Sequence, residues 1–137
     1  MDMGGAMGEL NWLVVLLATV VPFVLGAVWY GPLLGKRWMA GAGMTEEKVA
    51  QANMGRTFGV AFLLQAVQAV VLAIFIGSDA GLAVGLLAGV LVGAAWVATA
   101  FGVVYLFEQR PLDHFVVNAG YMVVSFSVMG AVLGLLG

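Results

Sequence analysis

The chain has 137 residues, of which 64% are hydrophobic and 9% charged, and a formal net charge of −2. An ordinary soluble domain is nearer half apolar and about a quarter charged, so a globular domain in water is excluded and one compact membrane domain is the economical reading. With no cysteine and one histidine, disulfides, thiol chemistry and an internal imidazole or thiolate metal site are excluded and no cofactor is implied; the few basic residues are scattered and offer no face for nucleic acid.

Charge-free apolar stretches run from Leu10 to Gly35, Thr57 to Ser78, Ala80 to Phe107 and Phe115 to Gly137. Each reaches or exceeds the roughly 20 residues that carry a helix across about 30 Å of hydrocarbon. The fold class is therefore all-α: an integral membrane four-helix bundle, one domain over residues 1–137, with spans of about 10–35, 57–78, 80–107 and 114–136. No Lys or Arg precedes the first apolar run, and that run is too long for the core of a signal peptide. It reads as the first span.

Span one holds Pro22, which removes a donor and frees the carbonyl of Ala18, predicting a kink. Its inner end carries Trp29, Tyr30, Lys36, Arg37 and Trp38, a set suited to anchoring or lipid contact at the headgroup level. In the loop that follows, Thr45 is placed to cap a short helix from about Glu46 to Asn53, with two carboxylates in its first turn.

Span two presents Gln65 and Gln68 on one face. If spans two and three form an antiparallel hairpin, these amides come level with the backbone near Val90 and Gly93 and are free either to bond to it or to line a substrate path. Span three carries Gly81, Gly85, Gly89 and Gly93 at intervals of four, with a shorter echo at Gly130 and Gly134 in span four. Small residues so spaced let another helix approach closely. This row predicts packing against span two or against a second copy of the chain, so self-association through glycine-rich faces is expected.

Span four has a polar stripe. His114, Asn118, Tyr121 and Ser125 are spaced four, three and four, which at about 100° per residue confines them to a sector of about 60° running roughly 16 Å into the membrane. Helix–helix hydrogen bonding and a wet cavity explain such a stripe equally well. Together with Gln65 and Gln68 it supplies the candidate ligand-lining or pore-lining residues, because polar groups inside a bilayer need partners.

Orientation follows from charge. Lys36, Arg37, Lys48 and Arg56 lie between spans one and two and Arg110 between spans three and four, whereas the opposite side carries only Asp2, Glu9 and Asp79. Basic residues near span ends stay in the cytoplasm. Both termini are expected outside, in an inner (plasma) membrane.

The segment Asn11-Trp12, then Gly26 with Trp29-Tyr30-Gly31-Pro32-Leu33 and Gly35-Lys36-Arg37-Trp38-Met39, followed by Thr45-Glu46-Glu47, resembles the signature of domain-of-unknown-function family 1761, as do Asn118 and Tyr121. The resemblance implies a small four-span bacterial membrane protein and brings no activity, substrate or catalytic residue with it.

Three functions remain open at this point. The first is a homo-oligomer that binds or transports a small or lipid-like molecule; the second is a structural subunit docking another membrane protein through its glycines. The third, an enzyme using His114 with Asp113 or Glu108, ranks last because the spacing supplies no positioned partner for a general base. A proton-coupled antiporter is disfavoured, since no carboxylate lies within a span.

Overall fold

A computed structural model describes residues 3–137, apart from the side chains of Met3, Ala6 and Met7; Asp2, counted above on the outer side, lies outside the described residues. Four helices are long and apolar enough to cross a membrane: Trp12–Leu33, Met54–Ile76, Leu82–Glu108 and Leu112–Leu136. Strands are absent among the described residues. Side chains set the helix starts. Asn11 accepts from the Val14 amide at 3.4 Å, Thr45 from Lys48 at 3.1 Å and Asn53 from Arg56 at 3.1 Å, each satisfying a donor that has no intrahelical partner. The short helix that Thr45 opens runs Glu46–Gln51.

Span four is the axis of the bundle, and eleven of its residues are buried, from His114 to Gly134. The glycine row of span three packs on it and not on span two. A Cβ at Gly85 would collide with the Gly130 carbonyl and the Gly134 backbone, one at Gly89 with the Phe126 carbonyl, and one at Gly93 would lie 2.9 Å from the Val123 Cα. The two sets of glycines therefore face each other within one chain, backbone against backbone. Gly81 differs: it sits at φ +90 in the turn between spans two and three, where its own Cβ position is open although its carbonyl packs against Gly134.

Span three is not a uniform helix. Its middle, Val92–Ala98, is a π-turn, and the Thr99 hydroxyl supports carbonyls there by donating to Ala95 and Trp96 at 2.7 and 3.0 Å. A π-turn holds one residue more than the α-helix it interrupts. In a regular helix Tyr105, twelve positions after Gly93, would be turned about 120° from it; the extra residue removes about 100° and brings both onto the same face. Tyr105 consequently meets span four as the glycines do.

Spans one and two share a core at one end and part at the other. Val14, Val15 and Ala18 pack with Ala69, Leu72 and Ala73 around Met129, which is fully buried. Between Met54 and Gln68, span two has no buried residue. Phe23 bridges the widening gap, its ring 6.0 Å from that of Phe58 and 5.4 Å from that of Phe62, both edge to face.

Span one ends in a break. Gly31 is non-helical at φ −99 and ψ −105, and Pro32 follows it, disfavouring helical geometry in the residue before. The helix Gly35–Ala42 then turns across the end of the bundle, exposing Lys36 and Arg37. Gly41 seats it on span four: a Cβ there would lie 2.5 Å from His114 Nδ1.

Candidate functional site

Span four carries its polar stripe into protein. His114, Asn118 and Ser125 are 5%, 8% and 1% exposed, and Tyr121 is buried with them. Three of the four belong to two hydrogen-bond networks that tie the spans together; the Ser125 hydroxyl joins neither.

The deeper network is centred on Tyr121. Its hydroxyl donates to the Pro22 carbonyl at 2.8 Å and accepts from Gln65 Nε2 at 2.7 Å, joining spans one, two and four. Gly26 makes this possible, because it is the residue one turn beyond Pro22 and a Cβ there would lie 2.8 Å from the Tyr121 oxygen. Gln65 Oε1 is left buried without a partner. Gln68 lines the same wall and forms no hydrogen bond among the described residues.

The second network is centred on Asn118, nearer the basic end. Tyr30 donates its hydroxyl hydrogen to Asn118 Oδ1 at 2.8 Å, and Asn118 Nδ2 donates to the Tyr105 oxygen at 2.8 Å. The same Nδ2 lies 3.2 Å from His114 Nε2, so the imidazole accepts there and carries its proton on Nδ1, which is buried under Gly41 without a partner. Trp29 donates from Nε1 to the Val117 carbonyl at 2.9 Å. Trp29 and Tyr30 thus turn their polar ends into the bundle. Trp38 stays against Tyr30, ring centroids 6.0 Å apart.

Charges gather at this end and pair outside the networks. Arg37 approaches Asp113 at 3.5 Å, and Arg110 approaches Glu108 at 3.1 Å. Neither carboxylate meets His114. Among the described residues no group of three His, Asp or Glu side chains comes together to hold a metal.

The divergence of spans one and two leaves a half-open cleft of about 470 Å³. Phe23, Phe58, Ala61 and Leu64 give it apolar flanks, and Tyr30, Gln65, Gln68 and Tyr121 give it a polar wall. The structure therefore splits the six stripe and glutamine residues. Gln65, Gln68 and Tyr121 reach the cleft; His114, Asn118 and Ser125 lie behind it. Sequence reasoning missed Tyr30 and Tyr105 as network members. Their signal was depth, since both lie near the loop-proximal ends of their spans, level with His114 and Asn118. Thr19 and Ser127, also within spans, merely bond their own helices at 2.8 and 2.6 Å.

Four membrane-length helices, with a central helix whose polar residues bind its neighbours together, define a multi-pass membrane protein. The chain belongs to the family described as Protein of unknown function (DUF1761), whose model matches residues 13–134. No curated protein and no solved structure matches it.

Proposed function

We propose that this chain is a non-enzymatic membrane protein that binds or passes a small, lipid-like molecule through the cleft between spans one and two. The observation that carries the reading is the cleft itself, about 470 Å³ with apolar flanks and a wall of Gln65, Gln68, Tyr30 and Tyr121. Ligand sites of about 300–1,000 Å³ combine mostly apolar lining with a few placed polar groups in this way. Its half-open side lies between two spans, so a molecule dissolved in the bilayer enters without crossing water. One protomer holds the whole cleft, and the reading needs no second copy.

The five basic residues lie at the end of the bundle toward which the cleft widens. We place that end in the cytoplasm and the protein in an inner (plasma) membrane. Enzymatic use of His114 has less support, because Asp113 and Glu108 are engaged by arginines and, among the described residues, the imidazole hydrogen-bonds only to Asn118.

Native mass spectrometry of the protein released from its membrane tests the reading. The wild type should carry a bound mass that Ala61→Trp, which fills the cleft, loses while its melting temperature holds. Identical bare masses for both, across several extraction conditions, would sink the proposal.

A further inference from the structure

The hydroxyls of the cleft's wall are chemically one-sided. Three line the wall, and each has committed its hydrogen to an acceptor inside the protein. Tyr121 donates to the Pro22 carbonyl at 2.8 Å, Tyr30 to Asn118 Oδ1 at 2.8 Å and Thr57 to the Asn53 carbonyl at 3.0 Å. These oxygens can now only accept.

Tyr121 also fixes the glutamine beside it. A carbonyl never donates, so the single Tyr121 hydrogen must go to Pro22, and the Tyr121 oxygen must then receive a hydrogen from Gln65. The Gln65 amide is forced to turn Nε2 toward Tyr121 at 2.7 Å, which leaves its Oε1 unpartnered but buried, so the acceptors offered to the cleft are the hydroxyl oxygens. Gln68 adds an amide free at both ends. Among the described residues no Lys, Arg, Asp or Glu lines the cleft.

Resting on the binding role proposed above, the geometry points to the class of ligand: a neutral apolar chain bearing a hydroxyl, which donates to the acceptor oxygens of this wall and accepts from Gln68. An anion set among these acceptor oxygens, with Arg56 outside the lining at the neighbouring surface, would be desolvated without a cation in contact with it. An ether or ester of the same skeleton brings another acceptor to a wall already rich in them. The site distinguishes an alcohol from its own capped or oxidised form by one hydrogen.

The test uses the full chain in lipid nanodiscs and three photoreactive probes that share one twelve-carbon diazirine chain, ending in a hydroxyl, a methyl ether or a carboxylate. Labelled positions are mapped by tandem mass spectrometry. The alcohol should label residues flanking the cleft, such as Phe58 and Leu64, about three- to tenfold more than the other two, the ratio one net hydrogen bond supplies. Gln68→Leu, which breaks no hydrogen bond among the described residues, removes a donor that the alcohol and ether oxygens can both use, so it should lower labelling by both probes and leave the alcohol ahead. Equal labelling of the wild-type cleft by alcohol and ether, or a preference for the carboxylate, overturns the hydroxyl class and leaves the cleft as a binding site. Absence of cleft labelling by all three overturns the binding role and this inference with it.

Discussion

The Tyr121 hydroxyl reaches the Pro22 carbonyl, 2.8 Å away, across a gap that exists because residue 26 has no side chain. A proline and a glycine four positions apart are usually read as weaknesses in a helix. Here the missing side chain of Gly26 opens the Pro22 carbonyl to a tyrosine from another span, and that tyrosine in turn holds Gln65. In hydrocarbon, where no water competes for these groups, such a bond is worth about 0.6 kcal/mol on average and up to about 1.7.

Tyr121→Phe removes both bonds and should lower stability by about 1–3 kcal/mol in mixed-micelle unfolding. Gly26→Ala should cost a similar about 1–3 kcal/mol by crowding the tyrosine off its partner. Unfolding curves that match the wild type for both variants would show that the network contributes nothing.

Gly89→Leu forces spans three and four apart, since its Cβ would meet the Phe126 backbone and not a side chain able to swing away. A loss of about 3 kcal/mol or more is expected. Gly59, in span two, has open space around it, so Gly59→Ala should melt at or slightly above the wild-type temperature. Equal melting of Gly89→Leu and wild type would mean that the glycine contact is dispensable.

Asn118→Leu strips partners from Tyr30, Tyr105 and His114 at once. It should cost about 2 kcal/mol or more. Gln68→Leu should change stability by less than about 0.5 kcal/mol, because that amide forms no hydrogen bond among the described residues. If the two substitutions destabilise alike, the division between a wired interior and a free cleft wall is wrong.

Orientation is readable in a chain without cysteine, where single cysteines can be introduced at exposed positions such as Ala50 and Ser78. In intact cells an impermeant maleimide should label Ser78→Cys and spare Ala50→Cys until the membrane is opened. The reverse pattern would invert the proposed topology.

The four spans were legible because apolar length is nearly sufficient to specify a membrane helix. The glycine row announced a close contact, but not with which helix: spans two and four are both apolar, and only the shape of the bundle chooses between them. Trp29 and Tyr30 read as surface anchors because aromatics at span ends suit the headgroup layer. Their inward turn depends on acceptors at Val117 and Asn118, 88 residues away in the chain for both bonds. The π-turn left no trace at all. Val92–Ala98 is apolar throughout apart from its glycine, so it has no polar face whose phase could slip.

That turn makes span three two half-helices wound to separate phases. Exchanging one apolar residue for another between Val92 and Ala98 leaves both phases as they are. Deleting a single residue there would restore an ideal helix and swing Tyr105 about 100° toward the lipid. For this span the constraint is on the number of residues more than on their kind, and the most regular helix would be the defective one.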